Sequence, residues 1–294
     1  MGTYDDDAFQ AAYDKVMAKW PADREAVTVP TPFGPTHVNV CGPRDAPALL
    51  LLPGGGGATS ASWFAQAADL ARVRRVYAVD LPGAAGRTRV RGVRDVAALG
   101  DWLDAVLTGL GVGRADVGGH SYGAWTALHY ALRAPERVRR LFLLDPTRCF
   151  GGFETAYLLR ALPMLLRPTP RRVRAFLEWE TGGAVMDPDW LRLQETAAGF
   201  PAGRPVTGPR PAPDALRSLR VRVLLLVAAN SRTHPRARLR PSGGTRDTYT
   251  VTARAERLLG DGVETVVLPD VSHHALPQAA PADLGRRLIS FLGG

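Results

Sequence analysis

Cysteine is nearly missing from this chain. Cys41 and Cys149 are the only two in 294 residues, too few for a disulfide framework or a cysteine-based zinc site. Long apolar runs are missing as well: arginine interrupts every stretch that approaches the roughly 18 residues of a membrane-spanning helix, so no span is expected. The opening MGTYDDDAFQ is acidic and has no apolar segment of the secretory type, which points to a cytoplasmic protein without a membrane partner. Lysine is scarce too. Of the 37 basic residues only Lys15 and Lys19 are lysine, within a net charge of +9. The arginines are spread along the chain beside abundant Ala, Gly and Pro, as GC-rich coding produces, and are not gathered into a nucleic-acid stripe. No nucleic-acid partner is expected. One local cluster stands out, Arg160, Arg167, Arg171, Arg172 and Arg174. It reads either as a solvated face or as a dock for an anionic ligand or a carrier protein.

What is present suits a large core: 46% of residues are hydrophobic and 22% charged, a balance that excludes global disorder. Apolar β-rich runs lie at 25–29, 36–41, 47–53, 75–80, 116–120, 139–145, 221–228 and 263–268. Runs such as ALLLL and VLLLV are continuous rather than alternating, as in strands covered on both faces. Helical patterns at 61–71, 93–109, 124–134 and 281–292 separate them, and strand–helix alternation predicts a mostly parallel α/β sheet. The short turn TPFGP joins the first two strands as an antiparallel edge hairpin. An amphipathic helix at 8–20 is expected to pack on the outside.

Two segments break the alternation. Residues 151–210 hold helical patterns at 153–166, 170–180 and 187–200 and no strand, so they are expected to form a cap on a core of 1–150 and 211–294. The cap offers Phe153, Tyr157, Leu158, Leu162, Phe176 and Trp179 as pocket lining, though each is equally suited to packing on the sheet. The polar stretch 230–250 is long for an ordinary connection, which hints at mobility or function.

The strongest chemical signal is Gly119-His120-Ser121-Tyr122-Gly123, a G-x-S-x-G pattern between a short apolar strand and a helix. A nucleophile on such a turn needs a strained backbone and small neighbours, and the helix N-terminus favours developing negative charge. Outside that setting, five residues of this kind are an ordinary glycine turn. The Gly-rich loop 53–57 has no Gly-Lys-Ser/Thr behind it, which argues against a phosphate cradle. His273 and His274 are adjacent, but neighbouring side chains point apart and no carboxylate or cysteine cluster accompanies them. His234 alone does not complete a metal site. Neither a metal nor any other cofactor is expected.

Together these residues resemble the α/β-hydrolase fold family, in its serine esterase branch. The likeness covers about residues 24–292 and rests on LLLLPGGGG at 49–57, VYAVDLPGAAGRT at 76–88, the GGHSYGAW elbow, RVRRLFLLDP at 137–146 and LPDVSHHALP at 268–277. The resemblance implies an α/β-hydrolase fold: a mostly parallel eight-stranded sheet with helices on both faces and a helical cap after strand six. It makes Ser121 the nucleophile and gives the oxyanion-hole N–H groups to Gly55 and Tyr122, although the His of the family's usual His-Gly pair is absent at Pro53-Gly54. The base falls on the loop after the last strand. Pro281, seven positions on, singles out His274 and leaves His273 in the place of the usual glycine.

The acid departs from the family's common pattern. It usually follows strand seven, where this chain reads VRVLLLVAANSRTHP and the aligned position is Asn230 or Ser231. Asp145, at the end of LFLLDP, is the expected replacement; its alternative is a structural cap on the next turn. Asp270 precedes the histidine loop and is a weaker candidate, and Asp80 reads as a turn former. A serine nucleophile implies cleavage of an ester, thioester or lactone of a small-molecule or carrier-protein-bound acyl substrate, with secondary metabolism as one setting. Two other readings stand beside it: cyclisation or lyase chemistry that does without a full triad, and a non-catalytic binding protein.

Overall fold

The computed structural model describes residues 4–201, 203–235, 250–279 and 282–293. Helix α1 (Asp6–Met17) precedes strands β1 (Glu25–Thr31), β2 (Gly34–Cys41) and β3 (Ala48–Leu52). Helix α2 (Phe64–Ala71), β4 (Arg75–Val79), α3 (Val96–Gly109), β5 (Ala115–His120), α4 (Tyr122–Arg133) and β6 (Val138–Leu144) follow. The chain then leaves the sheet for α5 (Thr155–Leu166), α6 (Pro170–Glu180) and α7 (Pro188–Ala197), the expected cap helices. It returns through α8 (Pro213–Ser218) to β7 (Arg222–Ala228), α9 (Thr250–Leu259), β8 (Val263–Leu268), α10 (Leu276–Ala279) and α11 (Ala282–Gly293).

The eight strands form one sheet in the order β1-β2-β4-β3-β5-β6-β7-β8. β1 and β2 pair as the expected edge hairpin, β2 runs antiparallel to β4, and all other pairings are parallel. The continuous apolar runs explain the two-sided covering. Leu49 and Leu51 of β3 face a core with α1, α2 and α11, while Leu50 and Leu52 face the opposite core with α3 and α4, because successive side chains in a strand alternate faces.

Some boundaries differ from the sequence expectation. The opening helix begins earlier, because the Asp5 carboxylate caps it by accepting from the Ala8 N–H. It does not simply coat the sheet: Phe9 and Tyr13 are wholly buried, and Lys19 just beyond it pairs with Asp187 and Asp189 at the start of α7. The elbow helix starts at Tyr122, immediately after the serine. Helices α8, α9 and α10 had no counterpart in the sequence reading. Of the expected loop at 230–250, residues 236–249 lie outside the described residues, as does Pro281.

Candidate active site

Five parallel strand ends converge where the chemistry was expected. Ser121 sits between β5 and α4 with φ 54° and ψ −115°, a strained backbone that an L-residue adopts only where its surroundings enforce it. The flanking glycines show what enforces it. A Cβ on Gly119 would lie 2.3 Å from the Gly123 carbonyl oxygen, and one on Gly123 would lie 2.3 Å from the carbonyl oxygens of Leu52 and Pro53. Only glycine lets strand, turn and helix approach so closely.

Asp145 ends β6 with φ 41° and is fully buried. Its N–H donates to Leu226 O and its Oδ1 accepts from the Ala228 N–H at 3.0 Å, so this residue ties β6 to β7. Oδ2 accepts from Ser231 Oγ at 2.7 Å and lies 2.6 Å from His273 Nδ1. Ser231 therefore occupies the usual place of the acid as a donor to the acid. His234 Nε2 lies 3.2 Å from Oδ1, out of line for a hydrogen bond. Burial alone would raise the Asp145 carboxyl, but the facing His234 and His273 imidazoles hold it well below the usual carboxylate range.

The histidine loop corrects one expectation. His273, not His274, joins the serine to the acid: its Nε2 lies 2.8 Å from Ser121 Oγ while its Nδ1 faces Asp145. With Nδ1–H donating to the carboxylate, Nε2 is left to accept from the serine hydroxyl. The His274 ring turns the other way, its Nε2 3.3 Å from the Tyr157 hydroxyl of α5. Burial and the neighbouring His273 and His120 keep His274 far below the ordinary histidine range, hence neutral.

The physical reason for this choice lies in α6. Glu180, its last residue, is 1% exposed and accepts the N–H groups of both His273 and His274 and the hydroxyl of Ser272, at 2.9 to 3.2 Å. That grip fixes which of two adjacent rings faces the sheet. Nothing in the sequence reading singled Glu180 out; its distance along the chain hides the contact.

His120 supports the loop from the other side. Its Nε2–H donates to the His273 carbonyl at 3.0 Å, and its pKa is pushed down to about 3 by burial and then by His273. A Cβ on Gly54 would lie 3.1 Å from His120 Nδ1, close enough to press on that ring. Gly55 stands against Tyr122, where an added Cβ would meet Tyr122 Cβ at 3.4 Å. The two expected oxyanion donors are thus neighbours beside Ser121, with the Tyr122 amide in the first turn of α4, where N–H groups have no partner within the helix.

A narrow cavity opens onto Ser121, lined by Gly55, Trp63, His274 and Pro277 and, from the cap, Trp190 and Gln194 of α7. Of the cap residues expected to line a pocket or pack on the sheet, Tyr157 and Trp179 border a separate cavity beside Ser231 and His234. Leu158 and Leu162 in fact face solvent, and Tyr157 and Phe176 pack around the histidine loop. Asp80 is buried at the end of β4 and accepts from Ser60 and the Arg87 N–H, a turn-stabilising role as expected. Asp270 does not join the hydrogen-bonded chain of Ser121, His273 and Asp145. Among the described residues no cluster of His, Cys, Asp or Glu is arranged to hold a metal ion.

Strand order, elbow and site geometry define an α/β-hydrolase fold with a serine at its elbow. A sequence profile of the alpha/beta hydrolase family matches residues 49–286, and the chain belongs to that family. It is similar to carboxylesterase YbfK of Bacillus subtilis, 27% identical over 97% of this chain and 94% of that protein. The crystal structure of that esterase superposes with a TM-score of 0.84 over 97% of this chain and 98% of the other. Naproxen esterase of Bacillus subtilis superposes equally well, at 0.84 and 26% identity over 97% of each chain.

Proposed function

We propose that the protein is a carboxylic ester hydrolase working through an acyl-enzyme on Ser121. His273 takes the serine proton as Oγ attacks the acyl carbonyl, and later returns it to the leaving alcohol. Asp145 holds His273 in the tautomer that does this and stabilises the imidazolium that forms. The N–H groups of Gly55 and Tyr122 receive the oxyanion, an interaction worth about 3 kcal/mol for each donor in comparable sites. Water then attacks the acyl-enzyme with His273 as base.

The single observation that carries this reading is the unbroken chain from Ser121 Oγ to His273 Nε2 at 2.8 Å and from His273 Nδ1 to Asp145 Oδ2 at 2.6 Å. Likeness to two carboxylesterases over nearly the whole chain supports ester hydrolysis as the reaction. Cyclisation or lyase chemistry would suit a site without an acid, and Asp145 within 2.6 Å of His273 Nδ1 supports hydrolysis over it. Trp63, Trp190 and Pro277 around the cavity favour a compact apolar acyl group.

Turnover of a p-nitrophenyl ester series tests the proposal. Short and branched acyl groups are expected to give the highest kcat/KM, and Ser121→Ala to reduce turnover by at least about 10⁴-fold. Undiminished turnover in Ser121→Ala would refute the mechanism, and a steady rise toward long straight chains would refute the compact pocket.

A further inference from the structure

Helix α5 has two apolar faces. Tyr157, Ala161 and Met164 turn inward: the first two are buried and Met164 packs against the core. Leu158, Leu159, Leu162, Leu165 and Leu166 make the second face, at i, i+1, i+4, i+7 and i+8, the spacing of one side of a helix. Such a stripe ordinarily packs against protein. Here the five leucines are between 43% and 71% exposed. The inward face already anchors the helix, so the outer leucines are not needed to hold it to the core.

Arginine is frequent in and next to this helix. From residue 155 to 177 the chain holds five arginines and no Asp or Glu. Arg174 pairs with Glu195. Arg160, Arg167, Arg171 and Arg172 have no carboxylate partner among the described residues; Arg160 lies over the Trp179 ring, and Arg172 donates to the carbonyls of Pro163 and Arg167.

We propose that the outer face of α5 docks the protein on an anionic lipid surface, its leucines entering the acyl boundary and its flanking arginines meeting lipid phosphates. Exposed leucine beside arginine that lacks a carboxylate partner is the composition of a helix lying in a membrane interface. A second copy of this chain is the rival occupant of a leucine stripe. Twofold pairing through α5 would set the same unpaired arginines against each other, with no acidic residue from 155 to 177 to oppose them. Contact of this kind requires no spanning helix, and none of the described helices is long and apolar enough to cross a membrane.

The stripe also lies close to the candidate site. Tyr157, on the inner face of the same helix, reaches within 3.3 Å of His274 Nε2. Docking would therefore bring a lipid phase, and esters dissolved in it, one helix away from Ser121. That consequence rests on the ester-hydrolase reading; the docking itself does not.

Flotation separates the two. Full-length Ser121→Ala protein is mixed with vesicles of pure phosphatidylcholine or of equimolar phosphatidylglycerol and phosphatidylcholine, so that binding is read without turnover. Binding to the anionic vesicles is expected to be at least about tenfold tighter and to weaken with added salt. The combined change Leu159→Ser, Leu162→Ser and Leu166→Ser, made in this background, should abolish flotation. The same triple change in the otherwise native chain should leave kcat/KM on a soluble ester within about twofold, since exposed positions rarely disturb the fold. Absence of flotation, or flotation indifferent to the triple change, would overturn the proposal. So would sedimentation showing a dimer that the triple change dissolves, since that assigns the stripe to a second copy.

Discussion

Asp145 has a structural role and, in the proposed mechanism, a chemical one. Its backbone and Oδ1 tie β6 to β7, while Oδ2 faces His273 and receives the Ser231 hydroxyl. The structural reading that sequence alone offered is met by these ties, and the placement of Oδ2 against His273 supports the proposed catalytic one. Asp145→Asn keeps an oxygen for the Ala228 N–H but can present an amide to His273, which favours the wrong tautomer. A fall in kcat of about 10⁴-fold is expected with the fold intact, as seen by circular dichroism; a loss under about tenfold would demote Asp145 to structure. Ser231→Ala removes one donor from the carboxylate, and a loss of about tenfold or less in kcat is expected. Ser121 was legible because its pattern is local, five residues around one turn. The base was not. His273 and His274 are adjacent on the same loop, and the backbone of that loop is set by Glu180, on a distant helix.

At the scale of elements, that contact couples the cap to the sheet edge that carries Ser121. α6 ends in a carboxylate that three donors of the 272–274 segment share, so displacing the helix displaces His273. Glu180→Gln retains one acceptor oxygen and replaces the other with an amide. We expect kcat to fall about tenfold, with KM for a small ester nearly unchanged and partial recovery in Glu180→Asp. A change in KM alone would assign Glu180 to substrate binding instead. The opposite edge of the sheet carries a purely structural analogue. Arg74, 6% exposed, pairs with buried Asp116 at 2.8 Å and also donates to Leu292 O near the end of α11. Arg74→Met leaves that carboxylate with only Arg139 at 3.6 Å, and a loss of about 3 kcal/mol in urea unfolding is expected, without change in kcat of the folded enzyme. The long elements were readable because burial on both faces writes continuous apolar runs. The short α8 and α10 were not, since four to six residues carry too little periodicity.

Across the whole molecule, buried histidine sets the response to acid. His37, His120, His129 and His274 are all held below the ordinary 6.5, in each case chiefly by burial, and His120 falls to about 3. A histidine depressed in the folded state binds its proton more readily when unfolded. Stability is therefore lost as pH falls below 6.5, and for His120 the loss continues until about pH 3. Each such group contributes up to about 1.4 kcal/mol per pH unit within its window. Urea midpoints should fall steadily from pH 7 to pH 4 (~3 units), and His120→Gln, if folded, should flatten that slope; a pH-independent midpoint would contradict the assignment of neutral buried rings. The sheet, its edge hairpin and the position of the cap were all visible in the alternation of apolar runs. The cap's exposed leucine face was not, because its spacing looks the same whether it meets protein or water.

The most direct measurement of the central claim is the rate of serine labelling by a fluorophosphonate, read by intact mass for the native chain and for Ser121→Ala, His273→Ala and His274→Ala. Native protein should gain a single adduct that Ser121→Ala lacks, His273→Ala should label at least about 10³-fold more slowly, and His274→Ala should stay within about tenfold of native. The reverse order of the two histidine variants, or an adduct that persists in Ser121→Ala, would contradict the assignment of Ser121, His273 and Asp145.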